Sequence, residues 1–192
     1  MKKNLNQNLI NLIEYYSLVN ANLILSNKPL KRTSSSQNMS FSGSKSEKLE
    51  KLKNSIKTIK NCELKKNAKN LVFGDGNINS NIMLIGEGPG ANEDAEGKPF
   101  VGRAGKLLNK MLEAIQLDRK KVYISNVVNY RPPNNRKPTE EEIERYLPYL
   151  KTHIEIINPK IILLLGSTAL NALIGNEVVI SKARGKWIQK QI

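Results

Sequence analysis

Ile82-Met83-Leu84-Ile85-Gly86-Glu87-Gly88-Pro89-Gly90 is an apolar run that stops at glycine, meets a carboxylate and turns at once through Gly-Pro-Gly. Glu93-Asp94 and the segment Gly97-Lys98-Pro99-Phe100-Val101-Gly102-Arg103-Ala104-Gly105 follow closely. A short run of branched and long apolar residues, too short for a helix and without polar alternation, reads as a strand buried on both faces, the signature of a parallel sheet. Ligand sites of such sheets gather where the strands end, so Gly86, Glu87, Gly88 and the Phe100 segment form the first candidate loop cluster.

Working outward, the same grammar repeats. Strands are expected at 81–86, 122–127 and 160–165, alternating with helices at 103–116, 139–156 and 167–174. Pro138-Thr139-Glu140-Glu141-Glu142 supplies an N-cap with acids in the first turn, and Asn158-Pro159 ends that helix before Ile161-Ile162-Leu163-Leu164-Leu165. This alternation implies an α/β fold, a three-layer α/β/α domain with a central, mainly parallel sheet. Upstream, a helical period over residues 5–25 marks an N-terminal helical segment (1–26). Residues 27–48 are Ser- and Lys-rich and read as a disordered linker, and the domain proper is expected over 49–192. Leu49, Leu52, Ile56 and Ile59 on a lysine-rich background read as a surface helix at 46–60.

The chain of 192 residues carries 31 Lys and Arg against 17 Asp and Glu, a net charge of +14, which favours a polyanionic partner such as nucleic acid. Residues 1–70 hold 14 basic and 4 acidic side chains, whereas residues 71–192 hold 17 and 13, so much of the excess lies ahead of the candidate site. A solvated basic tail and a DNA-binding arm both account for that asymmetry. One cysteine, Cys62, excludes an intramolecular disulfide and a cysteine-rich metal site. No apolar stretch reaches the roughly 18–20 residues that span a bilayer. A soluble, cytoplasmic protein without membrane attachment is expected.

Two phosphate-binding readings fail on local chemistry. Gly86-Glu87-Gly88-Pro89-Gly90-Ala91 resembles a dinucleotide fingerprint only superficially, because a proline and two acids sit where a helix N-terminus should receive pyrophosphate. A triphosphate loop is excluded as well: Gly97-Lys98 is followed by Pro99, and Asn92 stands where the leading glycine belongs. Asn126, at the end of Val122-Tyr123-Ile124-Ser125, offers a donor and an acceptor at the same sheet edge, as reading a heterocycle requires; capping of the next turn is the alternative. Phe100 can stack on a base or plug the core. Arg131-Pro132-Pro133-Asn134-Asn135-Arg136-Lys137-Pro138 is a rigid basic loop suited to phosphates, or to chain reversal alone.

From Cys62 to Trp187 the chain resembles the type 4 uracil-DNA glycosylases of the uracil-DNA glycosylase superfamily. The resemblance is carried by Val72-Phe73-Gly74-Asp75-Gly76-Asn77, the Gly86 to Gly90 loop, Gly97 to Gly105, Tyr123-Ile124-Ser125-Asn126-Val127-Val128, Arg131 to Arg136 and Ile180-Ser181-Lys182-Ala183-Arg184-Gly185-Lys186-Trp187. It implies an enzyme that flips uracil out of DNA and hydrolyses its N-glycosidic bond in base-excision repair. On that resemblance Glu87 and Glu93 are the catalytic candidates: Glu87 and Gly88 lie along the uracil and order the attacking water, and Glu93 stands near the base at its C5 position. Gly86, Glu87, Gly88, Phe100 and Asn126 bind uracil, with Phe100 stacking and Asn126 reading the edge. Arg131, Asn135, Arg136 and Lys137 are the DNA-binding candidates.

The sequence departs from the family pattern in two places. The family carries four cysteines on a 4Fe-4S cluster, and here Lys65, Tyr130 and Tyr146 stand at three of the positions, leaving Cys62. No cofactor is therefore expected, and the tyrosine rings are expected to fill the space. Family members also continue into a further strand and a His-Pro loop whose histidine bonds the uracil carbonyl; this sequence stops at Ile192, which bears on activity and fits a natural truncation, one piece of a split gene completed by a separate C-terminal fragment, or an abbreviated sequence. The single histidine, His153, is expected to be a surface or partly packed residue of the 139–156 helix. A monomeric glycosylase acting on uracil-containing DNA is thus the leading expectation. A non-catalytic DNA-binding remnant of the fold, a nucleotide-processing α/β protein and a poorly folded fragment are its rivals.

Overall fold

The computed structural model describes residues 41–189. The chain divides into two units, Met1–Ser35 and Ser36–Ile192; the helix expected over 5–25 and residues 27–40 of the expected linker lie outside the described residues. The remainder of that linker stretch is not what its composition suggested. Helix α1 (Lys45–Lys57) begins inside it, and Phe41 packs against the core. The reason is a capping box: Ser44 Oγ accepts from the Glu47 N–H, while the Glu47 carboxylate accepts from the Ser44 N–H at 2.8 Å. Helix α1 is the surface helix expected over 46–60, polar residues outward and one apolar face turned to the core. Leu49, Leu52 and Ile56 are buried, and the Lys45 ammonium donates to the carbonyl of Ile157 at 2.8 Å, tying α1 to the far end of a later helix.

After a short helix α2 (Glu63–Asn67), the sheet is built from β1 (Asp75–Gly76), β2 (Ile82–Gly86), β3 (Tyr123–Asn126) and β4 (Ile161–Leu164), in the order β1-β3-β2-β4. The β2–β3 and β2–β4 pairs are parallel; β1 pairs antiparallel with β3. Helices α3 (Ala91–Glu96) and α4 (Arg103–Ala114) connect β2 to β3, and α5 (Glu140–Ile157) connects β3 to β4; α6 (Ser167–Leu173) and α7 (Ile180–Ala183) follow. The strands and long helices expected from the sequence are present, each within one to three residues of its expected bounds. Helix α5 starts at the Thr139 cap and runs through Pro148 to Asn158, whose left-handed φ of 50° ends it.

Side chains alternate across the sheet as strand geometry demands. Met83, Ile85 and Tyr123 face α1, α5 and α6, in a core that includes Leu52, Tyr146, Leu150 and Ile157. Leu84 and Ile124 face α4 through Leu108 and Leu112 on the other side. This is the expected α/β/α layering. Among the described residues β4 has a strand partner on one side only, and Leu163 is half-exposed there.

His153 overturns its expectation as a surface or partly packed side chain. It is buried, stacks on Phe73 with ring centroids 4.3 Å apart, and its Nε2 lies 2.9 Å from the Tyr123 hydroxyl. Burial drives its pKa down to about 3, so it is neutral at physiological pH. Residues 152–154 of α5 are all buried, a width of apolar contact that periodicity alone does not announce.

Candidate active site

Register places the site. Gly86 of β2 pairs with Asn126 of β3, so both strands end at the same level and hand their loops to the same edge. The chain after β3 keeps the two loops together, with the Val127 N–H donating to the Gly86 carbonyl at 2.9 Å and the Val128 N–H to the Glu87 carbonyl at 3.2 Å. Between these loops opens a cavity of ≈ 360 Å³ whose lining includes Gly88, Glu93, Phe100, Gly102, Asn126 and Asn135. That volume lies within the usual range for small-molecule sites.

The Phe100 ring and the Asn126 amide meet over Gly86. A Cβ on Gly86 would stand 2.5 Å from Phe100 Cζ and 2.7 Å from Asn126 Oδ1, so the strand must end in glycine for both groups to occupy this corner. Asn126 is largely covered as a residue, but its side-chain amide lines the cavity and, among the described residues, takes no hydrogen bond. An amide open to a cavity and not engaged by the protein is available to a ligand as both donor and acceptor. This favours edge reading over turn capping.

Glu93 closes the wall. Its Oε1 accepts from the N–H groups of Val101 at 2.9 Å and Gly102 at 2.7 Å, and its Oε2 from that of Gly90 at 3.1 Å. Burial raises the carboxyl pKa, but the hydrogen bonds from Gly102, Val101 and Gly90 outweigh it and hold the group below the usual carboxylate range. Glu93 is thus an ionised strut joining the loop after β2 to the loop carrying Phe100.

Glu87 occupies a different place. It lines an adjoining cavity of ≈ 200 Å³ with Pro132 and Arg136, and Gly88, Gly90 and Asn135 border both cavities. Its carboxylate accepts a hydrogen bond from the Thr168 hydroxyl of α6. Sequence reading gave Thr168 no role, since a threonine at a helix start is ordinarily a local cap.

The basic loop is less free than its composition suggests. The Arg136 guanidinium forks onto Glu142 at 2.7 and 2.8 Å, and Glu142 also receives the Thr139 N–H at 2.8 Å in the α5 capping box. Arg131 Nε donates to Asn135 Oδ1 at 2.7 Å, beside two left-handed residues, Asn134 and Asn135. Lys137 is exposed and borders neither cavity. Of the sequence-derived candidates, Gly88, Glu93, Phe100, Asn126 and Asn135 converge on one cavity, with Gly86 beneath it; Glu87 and Arg136 converge on the next. The structure does not bring Arg131 or Lys137 to either.

A family model for the uracil DNA glycosylase superfamily matches residues 73–192. The chain belongs to the uracil-DNA glycosylase superfamily. It is 48% identical over 134 residues to a type-4 uracil-DNA glycosylase of Thermotoga maritima, a match covering 69% of this chain and 70% of that protein. A type-4 uracil-DNA glycosylase of Sulfurisphaera tokodaii is 47% identical over 151 residues (74% and 69%), and one of Pyrobaculum aerophilum 44% over 148 residues (75% and 76%).

The superfamily's type 4 branch carries a 4Fe-4S cluster, and the residues here do not fit one. Cys62 Sγ lies 3.3 Å from the Tyr146 hydroxyl, and both side chains are buried with Tyr130 in the same core. The Lys65 ammonium turns away to the Lys57 carbonyl. Among the described residues no group of three or more His, Cys, Asp or Glu side chains is arranged to hold a metal ion. A cubane cluster asks for four ligands, and this corner offers one thiol against phenols. No described helix is long and apolar enough to cross a membrane.

Proposed function

We propose that this chain is a uracil-DNA glycosylase, hydrolysing the N-glycosidic bond of uracil flipped out of DNA, as a cytoplasmic monomer in base-excision repair. The observation that carries the reading is the Asn126 amide, open to the cavity at the carboxyl ends of β2 and β3 and set against the Phe100 ring. Uracil presents an N3–H donor beside an O4 acceptor, the complement of a side-chain amide. Stacking on Phe100 and these edge bonds offset the few kcal/mol that flipping costs.

Cleavage sends the electron pair of the C1′–N1 bond into the uracil ring while the sugar gains oxocarbenium character. The Asn126 N–H stabilises the developing charge on O4, and a water at the border of the two cavities, oriented by Glu87, attacks C1′. Glu93 shapes the wall at the base's C5 side, with its carboxylate committed to Gly90, Val101 and Gly102. Asn135 and Arg136, at the cavity rim, and Arg131 and Lys137 beside them, meet the flanking phosphates. No step runs through an iron–sulfur cluster, and we expect the purified chain to hold no iron.

A second reading rests on His153. The single histidine of the sequence is stacked in the core and bonded to Tyr123, so no imidazole reaches the cavity to support the leaving base. A DNA-binding protein of this fold without excision would answer to that description. Incubating the chain with a uracil-containing duplex and its thymine counterpart, then cleaving abasic sites with alkali, separates the two: strand scission confined to the uracil duplex supports the enzyme. Salt-sensitive binding to both duplexes without scission supports the other reading.

A further inference from the structure

Phe100 is held in an unusual way. Its φ is 55°, a left-handed conformation uncommon for a bulky side chain and costly unless its surroundings enforce it. Two features enforce it. Helix α4 presses on the Phe100 carbonyl so closely that a Cβ on Gly105 would stand 1.7 Å from the oxygen. From the other side, the Arg119 guanidinium takes the carbonyls of both loop residues, Nη1 to Phe100 at 3.0 Å and Nη2 to Pro99 at 2.6 Å. Its Nε is paired with Asp75 Oδ2 at 2.8 Å, and Nη1 also reaches Asn109 Oδ1 at 3.3 Å. Asp118-Arg119-Lys120-Lys121 looks in sequence like a solvated basic turn, yet both members of the Arg119–Asp75 pair are about three-quarters buried, with 24% and 28% of their side chains exposed.

We propose that Arg119, oriented by Asp75, is a positioning residue of the active site: its fork fixes the Pro99–Phe100 backbone and thereby sets the Phe100 ring against Asn126, where a flipped base stacks. The arrangement suits arginine and not lysine, because a planar fork satisfies two adjacent carbonyls and a carboxylate at once, whereas an ammonium is a single point. The guanidinium lies outside the lining of both cavities. Its effect on a substrate therefore passes through Phe100. The inference rests on the glycosylase reading for its catalytic consequence, but the effect on the ring is independent of it.

The test has two arms. In single-turnover excision of uracil, Arg119→Ala should lose about 10- to 100-fold, the scale of a displaced binding group. Arg119→Lys should recover only a small part of that loss. In a Phe100→Ala background the same substitution should change excision by no more than about twofold. Equal losses in both backgrounds would overturn the proposal, as would a fall of about one in the slope of log affinity against log salt, which would mark Arg119 as a phosphate contact. In the second arm, the chain labelled with 4-fluorophenylalanine gives resonances for Phe41, Phe73 and Phe100, assigned by Phe→Leu substitution. Arg119→Ala should shift or broaden the Phe100 signal and leave the other two in place. An unmoved Phe100 signal, or a change shared by all three, refutes the positioning role whether or not the chain excises uracil. Absence of excision by the unsubstituted chain, with the ring response intact, would fall on the glycosylase reading alone.

Discussion

Replacing Glu93 by glutamine removes one charge and one acceptor from a carboxylate that holds three backbone N–H groups. The amide oxygen of the substituted side chain can still face Val101 and Gly102, the two shorter contacts, but its NH2 then points at the Gly90 N–H, donor against donor. Hydrogen bonds to a charged group contribute about 1.5–3 kcal/mol, against about 1 for a neutral pair, so one lost bond and two weakened ones sum to roughly 2.5–7 kcal/mol. Glu93 is partly exposed and water takes up part of the loss, which brings the expected cost to about 2 kcal/mol. For a domain of this size that corresponds to a fall of about 4–8 °C in Tm. The sign of the pH dependence follows from the depressed carboxyl pKa. Its stabilisation is complete above the unfolded value of about 4.3 and is lost as pH falls through the folded value, so the gap between the two proteins should narrow below about pH 4. Urea unfolding followed by circular dichroism at pH 7 and at successively lower pH measures both quantities. Equal midpoints at pH 7, or a gap independent of pH, would refute the view of Glu93 as an ionised strut.

Three further outcomes are expected. His153 is neutral in the folded state down to a pKa of about 3 and titrates near 6.5 when unfolded, so stability should decline as pH falls from about 6.5 to 5, above the range where carboxylates contribute; in His153→Gln the decline over that window should disappear from urea midpoints. Tyr146→Phe leaves Cys62 Sγ without its 3.3 Å partner and should cost about 0.5–1.5 kcal/mol, whereas Tyr146→Ala, which empties a fully buried ring, should cost about 3–5 kcal/mol; calorimetry distinguishes the two. Glu142→Ala removes the carboxylate that occupies the Arg136 fork, so it should lower Tm through loss of the α5 cap while steepening the salt dependence of DNA binding by up to about one unit of slope.

The strands were legible because a parallel sheet covered on both faces demands continuous apolar runs, and Ile82–Ile85 and Ile161–Leu165 admit few other readings. Once β2 and β3 were parallel neighbours, Gly86 and Asn126 had to end at one edge, and the convergence of Phe100 and Asn126 was within reach of the sequence. What escaped depends on partners far along the chain. Arg119 sits in a run of charges, and only the carbonyls of Pro99 and Phe100 and the carboxylate of Asp75 reveal its use. His153 looked peripheral because its neighbours Thr152 and Ile154 do not say which face of α5 is buried, and the answer lies in Phe73 and Tyr123. The start of α1 was legible to within one residue, and what the serine-rich stretch concealed was its capping pair, Ser44 and Glu47. The strand β1, two residues long, carries no period at all.

In the proposed function the Asn126 amide reads a uracil and supports its departure. Release of free uracil from a labelled single-uracil duplex, measured under single turnover with the purified chain and with Asn126→Ala at a temperature where both are folded, addresses it directly. Release by the parent chain is expected, with a loss of about 100- to 1000-fold in the variant, the scale of one removed transition-state donor. Equal release by both proteins, or none from a folded parent chain that still binds the duplex, would contradict it.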